Sequence, residues 1–413
     1  MRVPPGHRRS ALSEVVHDYP FRNPSGLEPP PQWAELRDGC PVAPIRLASG
    51  DQALLLTRYE DVRQVLSDPR FTRELSAGDA ARVTANESGG VFGAGMASAS
   101  VGAGEAHQQW RRLVGRSFTA KRVAAMRPRI EEMAEGLVDA MVAGGAPADL
   151  VSALGFPLPV WVICDLLGVP DADRDRFAYW SDTMLSMTRY EQAEIDAAQA
   201  EFAAYFASHI RAKREQPGDD LLSELIAVVD AADGRLTEML LTATGQGLLV
   251  AGHETTANMI GKMVAMLLAD RSRWQALLGD ASLVRGAVEE ALRFDANPGF
   301  GMPRYLSEEV EVAGRRLPAG TTVVCSLAAA NRDERAFEHA EAMDLSRSPN
   351  AHLAFGVGPH SCLGQALART ELQAVLTVLL RRLPGLELAV PAADLAPREG
   401  LIVGGLQRVP VRW

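Results

Sequence analysis

Cysteine is scarce in this 413-residue chain, and lysine is scarcer still. The four cysteines, Cys40, Cys164, Cys325 and Cys362, form no C-x-x-C pair and no closely spaced framework. That argues against a disulfide scaffold and a Cys-rich zinc site, and fits a reducing cytoplasm. Lysine occurs only at Lys121, Lys213 and Lys262, and the formal net charge is −10, with a pI near 5.4. A sequence-independent nucleic-acid binder needs a basic surface, so that class is disfavoured. No run of about 18 uncharged apolar residues occurs, so no membrane span is expected. The start, "MRVPPGHRRSALSEVV", lacks the continuous apolar segment of a signal peptide. No internal repeat and no linker divides the chain. With 47% hydrophobic residues, it is expected to form one domain over residues 1–413, with residues 1–32 as an irregular N-terminal arm.

What is present is helical periodicity. From Glu105 to about Leu292 the pattern is helical almost throughout. Residues 237–270 contain no proline and predict one helix about 50 Å long, enough to cross a whole domain. Residues 45–71 read as strand, turn, strand and helix, and 307–327 as a hairpin with Gly314 in its turn. A helix is expected after Cys362, over 363–383, and a further hairpin in the tail "GLIVGGLQRVPVRW". Residues 76–106, rich in Gly, Ala and Ser, read as a long loop. The fold class is mainly α with small β-sheets.

The stretch "FGVGPHSCLG" (355–364) sets one cysteine among glycines. A thiolate there needs charge compensation, which backbone N–H groups near the glycines and the N-terminus of the next helix can supply. Alone, Cys362 reads equally as a small buried hydrophobe before a helix. Glu290 and Arg293 in "EEALRF" stand at i,i+3, where a bidentate pair can form. Glu254 and Thr255 in "AGHETT" are polar residues in the middle of an apolar helix, next to Gly252. A Thr hydroxyl bonding back to the carbonyl of Ala251 would distort that helix.

Together, and in their order and separations along the chain, these stretches resemble the cytochrome P450 family in its soluble bacterial branch. The resemblance covers nearly the whole chain, including "PAGTTVVCSLAAANRDE" and "SPNAHLAFG". It implies the P450 fold, with a long central helix crossing the face of a haem b, and Cys362 as the iron ligand. It places Phe355, Gly356, Ala251 and Gly252 beside the cofactor, and His107, Arg111, Arg304 and His360 on its propionates. Glu290 and Arg293 become a structural pair. Thr255 becomes the proton donor on the oxygen side, with Glu254 relaying protons. The stretch "SVGAGEA" before His107 departs from the acidic-Pro-Pro run usual in relatives, which puts that loop's conformation in question.

The function implied is a cytoplasmic monooxygenase inserting one atom of O2 into a mostly apolar organic substrate, in natural-product tailoring. Electrons would come from a ferredoxin and its reductase, because the chain has no flavin or iron–sulfur motif. The basic stretch Arg111, Arg112, Arg116, Lys121 and Arg122 is the expected docking site. The alternative is a haem-thiolate enzyme that uses peroxide, or that catalyses a non-oxygenating rearrangement or coupling. A pocket wall is expected from Phe92, Met96, Met184, Leu185, Met187, Leu248, Val250, Phe300, Met302, Ile402 and Val403, side chains that serve equally well as plain core.

Overall fold

The computed structural model describes residues 15–75, 77–84, 104–231 and 236–413. Phe92 and Met96, and most of the Gly/Ala/Ser-rich stretch, lie outside them.

The N-terminal part holds β1 (His17–Asp18), α1 (Gln32–Gly39), β2 (Val42–Arg46), β3 (Gln52–Leu56), α2 (Tyr59–Ser67) and β4 (Phe71–Thr72). The helical part follows. It comprises α3 (Gly104–Val114), α4 (Ala120–Gly144), a two-residue β5 (Ala148–Asp149), α5 (Pro157–Leu167) and α6 (Arg174–Met184). Next come α7 (Gln192–Glu215), α8 (Leu221–Asp230), α9 (Glu238–Ala269), α10 (Arg271–Gly279) and α11 (Val284–Phe294). Side-chain caps start several of these. Thr237 accepts from the Leu240 N–H, Thr119 from Arg122 and Asp220 from Ser223. The expected long helix is α9, with bounds one residue inside the predicted ones.

Six strands and two helices complete the described residues: β6 (Met302–Leu306), β7 (Val310–Val312), β8 (Arg315–Leu317), β9 (Thr322–Cys325), α12 (Leu327–Ala330), α13 (Gln365–Arg382), β10 (Glu387–Leu388) and β11 (Pro410–Arg412). The β7–β8 turn is Ala313-Gly314, with φ of 51° and 72°, the left-handed pair that suits a two-residue hairpin. The largest sheet runs β1-β2-β3-β9-β6-β4. In it β3 pairs parallel with β9, and β6 pairs antiparallel with both β9 and β4. The tail folds back with Pro397 opposite Leu406 and an Arg398 N–H to Gly405 carbonyl bond of 2.8 Å. Its terminal strand, β11, pairs instead with β10 and β5.

The C-terminal half of α9, from Met259 to Leu268, is buried among α4, α11 and α13 in one apolar cluster. Its N-terminal half packs with α5 through α8 in a second. One helix therefore belongs to two cores, and its middle lies at their junction. Among the described residues no helix is long and apolar enough to cross a membrane.

Candidate haem-thiolate site

The loop before α13 is shaped by glycine. Gly356 and Gly358 adopt φ of 63° and 79°, and a Cβ on Gly358 would stand 2.6 Å from the Leu66 carbonyl oxygen. Only glycine serves there. The Cys362 N–H donates to the Phe355 carbonyl at 2.8 Å, closing the loop three residues before α13 begins. Cys164 and Cys325 are buried, whereas Cys362 is open to a ligand. It still lies deep among protein atoms. Burial pushes its thiol up, opposed by the Gly364 N–H and the charges of Arg111 and Arg369. A metal at the sulfur would favour the thiolate further.

Beside this loop stands a group of cations. His107 is buried, and its ring lies 4.2 Å from that of His360. Arg111, four residues on, donates to the Ser361 carbonyl at 2.7 Å. Arg304, 3% exposed, donates to the carbonyl of its neighbour Pro303 and, among the described residues, to nothing else. The sequence reading missed Arg73. Thr72 pairs with Tyr305 across β4 and β6, so the next position puts Arg73 beside Arg304. Like charges on facing positions repel, and among the described residues no ion pair with a carboxylate is formed by Arg73, Arg111 or Arg304. Burial, then the charge of Arg73, depresses Arg304 to about 10. Burial, followed by His107, Arg73, Arg304 and Arg111, pushes His360 down to about 3. The buried His360 Nδ1 has no hydrogen-bond partner.

Three guanidiniums and two imidazoles, with no carboxylate paired to the guanidiniums among the described residues, make a site for a dianion. Among the described residues, moreover, no cluster of three or more His, Cys, Asp or Glu side chains is placed to hold a metal ion. A cofactor that brings its own metal to Cys362 and carries two carboxylates fits the cysteine and the cations together. The residues present fit haem.

On α9, Ala251 and Thr255 are exposed, whereas His253, Glu254 and every residue from Thr256 to Leu268 are buried. The Thr255 hydroxyl donates to the Ala251 carbonyl at 3.1 Å, as its spacing suggests. Gly252 also serves the packing of its helix. A Cβ there would meet Ile163 Cδ1 at 2.8 Å, so the glycine permits the close crossing of α9 and α5. Glu254 does not share the face of Thr255. Its Oε1 accepts from Arg398 at 2.7 Å and from Asn258 at 3.1 Å.

Of the expected pocket residues, Leu248, Met302, Ile402 and Val403 are half-buried. Met184, Leu185 and Val250 are instead spent on the core shared by α5 to α8. Met187 and Phe300 lie in a cluster with Tyr19, whose ring stands 5.3 Å from Phe300. Adjacent side chains on a helix or short loop diverge, so a contiguous run of apolar residues cannot all face one cavity.

Glu290 and Arg293 form a fully buried bidentate pair at 2.8 and 2.7 Å. Arg293 also donates to the carbonyls of Asn331, Ala340 and Ala342. Glu290 accepts from the Asp344 N–H, Arg347 and Asn350. With every valence used, the pair staples α11 to the segment leading into the Cys362 loop.

A mainly helical fold, an accessible cysteine at a helix N-terminus, an acid-free cationic group and a Thr-bearing central helix define a haem-thiolate oxygenase. The family model for Cytochrome P450 matches residues 163–386. Over 403 residues the chain is 44% identical to nocardicin C N-oxygenase of Nocardia uniformis subsp. tsuyamanensis, covering 96% of this chain and 99% of that one. It is 42% identical to mycinamicin IV hydroxylase/epoxidase of Micromonospora griseorubida, with 96% and 98% covered. The crystal structure of the LnmA cytochrome P450 hydroxylase from the leinamycin pathway of Streptomyces atroolivaceus superposes with a TM-score of 0.86 at 42% identity, covering 96% of this chain and 100% of that one. The chain belongs to the cytochrome P450 family, as a bacterial monooxygenase. Membership implies a haem cofactor, a redox partner, an organic substrate and O2.

Proposed function

We propose that this protein inserts one oxygen atom from O2 into a mostly apolar organic molecule during natural-product tailoring, with electrons from a ferredoxin and its reductase. The observation that carries the reading is the exposed Ala251–Thr255 step between buried residues in the middle of α9, with its hydroxyl-to-carbonyl bond of 3.1 Å. Haem b would be held by Cys362 at its iron and by Arg73, His107, Arg111, Arg304 and His360 at its two carboxylates. Bound there, a thiolate-ligated haem supplies cleavage of the O–O bond and oxidation of a C–H bond.

The chain's own residues do the rest. Thr255 Oγ1, already hydrogen-bonded, can take a proton and pass it on at the open face of α9. Leu248, Met302, Ile402 and Val403 exclude water and favour an apolar guest. Glu254 can supply protons only after its carboxylate leaves Arg398. The names of the relatives, a nocardicin N-oxygenase and a mycinamicin hydroxylase/epoxidase, support a natural-product substrate.

For the redox partner, Arg112, Arg116 and Lys121 are exposed, and Gly115 among them packs toward Leu363, next to Cys362. Arg122 is engaged by Glu224, and Arg111 by the Cys362 loop. The docking patch is therefore Arg112, Arg116 and Lys121. The deciding experiment screens apolar natural products for a haem absorbance shift. Hits are then turned over with NAD(P)H, ferredoxin, reductase and isotopically labelled O2. One labelled oxygen in the product supports the reading. Product formed only with added peroxide, or without the label, overturns it.

A further inference from the structure

Phe355 is gripped by two side chains that share one carboxylate. The Arg369 guanidinium carbon lies 4.4 Å from the centre of its ring. The His352 ring lies 5.9 Å from it, tilted by 46°. Glu289, on α11, receives both. Arg369 donates from Nε at 2.8 Å and from Nη2 at 3.0 Å, and His352 Nε2 approaches at 3.2 Å. The Ala354 N–H donates to His352 Nδ1 at 3.2 Å, which leaves the imidazole proton on Nε2 to face Glu289. The Phe355 carbonyl in turn accepts the Cys362 N–H at 2.8 Å. None of this belongs to the neighbouring Glu290–Arg293 staple, whose partners are different.

The charges in this chain of contacts are built to balance. Burial would raise the Glu289 carboxyl, but the hydrogen bonds from His352 and Arg369 outweigh it and hold Glu289 at about 2. An ionised Glu289 therefore stands against Arg369, whose guanidinium lies over the ring of Phe355, the residue whose carbonyl holds the Cys362 N–H. A positive charge near a metal–thiolate centre favours the state with one more electron, and a negative charge disfavours it.

We propose that Glu289, His352 and Arg369 form a positioning clamp on Phe355 that sets the reduction potential of the Cys362-ligated iron, with Arg369 raising it and Glu289 lowering it. The proposal rests on Cys362 as the iron ligand, and its consequence is a pair of opposed signs. Removing Glu289's charge leaves Arg369 uncompensated, so the potential rises. Removing Arg369's charge leaves Glu289 uncompensated, so the potential falls. A clamp that only packs Phe355 would shift both variants the same way.

The experiment is a spectroelectrochemical titration of the haem-loaded protein. The carbon-monoxide band of each variant is recorded first, to show that the sulfur still ligates. The expected result is a higher potential in Glu289→Gln, a lower one in Arg369→Gln, and a value near the parent's in Arg369→Lys. Shifts of one sign in both Gln variants, or none in either, overturn the clamp. A parent without the thiolate band fails the Cys362 reading instead, so the two failures are distinct. If a Gln variant loses the band, Glu289→Asp and Arg369→Lys decide. Parental potentials in both support the charge assignment, and a shift despite retained charge overturns it.

Discussion

Arg398 donates to the Glu254 carboxylate at 2.7 Å, although the two are 144 positions apart. The same guanidinium bonds Asp182 at the end of α6, and Asp182 also accepts the Tyr190 hydroxyl at 2.7 Å. One side chain in the C-terminal turn thus ties α6 to the middle of α9. Glu254 is 2% exposed, and stripping a buried carboxylate of its cation is strongly destabilising. Arg398→Ala is expected to lower unfolding free energy by up to about 3 kcal/mol. Arg398→Ala with Glu254→Gln should lose less than Arg398→Ala alone, as a denaturant double-mutant cycle would measure. Additive losses would mean that the pair carries no coupling.

Sequence periodicity was enough for α9, because a proline-free apolar run with Thr237 before it has few alternatives. It was also enough for the Cys362 loop, where closely spaced glycines announce left-handed backbone. Arg73 was not legible. It follows a two-residue strand whose partner lies 233 positions on, and "FTRE" alone reads as surface. Arg398 and Arg369 were hidden for the same reason, since their carboxylates come from distant helices. Local patterns report a residue's own element, and ion pairs between elements depend on packing that periodicity does not encode. Val250 and Met184 were misplaced for a related reason. Both side chains are buried in the core shared by α5 to α8, although Val250 is next to the exposed Ala251 in sequence.

The sulfur assignment has a direct spectroscopic consequence. The reduced, carbon-monoxide-bound protein should show the strongly red-shifted band of thiolate ligation. Cys362→Ser should abolish it, and Cys40→Ser, at a half-buried position away from the site, should keep it. A band that survives in Cys362→Ser refutes the ligand assignment.

The cationic group should be read through haem retention. Ala substitutions at Arg73, Arg111 and Arg304 each remove a charge from a cluster that, among the described residues, no carboxylate neutralises, so haem transfer to an acceptor apoprotein should accelerate. A charged group's hydrogen bond is worth about 1.5–3 kcal/mol, roughly 10- to 100-fold in rate. Arg112→Ala, at an exposed position, should stay near the parent. Equal retention in Arg73→Ala and Arg112→Ala would remove Arg73 from the set.

Acid stability should report on Glu289. Its carboxyl drops from the ordinary 4.5 to about 2 on folding. A carboxyl depressed in the folded state stabilises fully above the unfolded value and loses that contribution as pH falls through the folded one. The window is therefore pH 4.5 down to 2, and the stake is at most about 3 kcal/mol. Glu289→Gln should be less stable than the parent at pH 7, and its stability should fall less steeply between pH 4.5 and 3. Parallel melting-temperature curves for the two proteins over that window would show that Glu289 is not the titrating group.

Thr255 separates oxygen insertion from peroxide use. Its hydroxyl sits on the exposed face of α9, bonded to the Ala251 carbonyl, and Ala at 255 removes that group while leaving a good helix former. Thr255→Ala should therefore still bind haem, substrate and oxygen. Proton delivery of this kind is worth about 10²–10⁴ in rate. Its loss should divert electrons from NAD(P)H into hydrogen peroxide or water, with little product. Thr255→Ser keeps a hydroxyl and should recover most of the coupling. An enzyme driven by peroxide receives an O–O bond that already carries its protons, so Thr255→Ala would leave its product yield unchanged. The measurement is product formed per NAD(P)H consumed with a ferredoxin system, beside product from added peroxide. Full coupling in Thr255→Ala would transfer the assignment to the peroxide-using class.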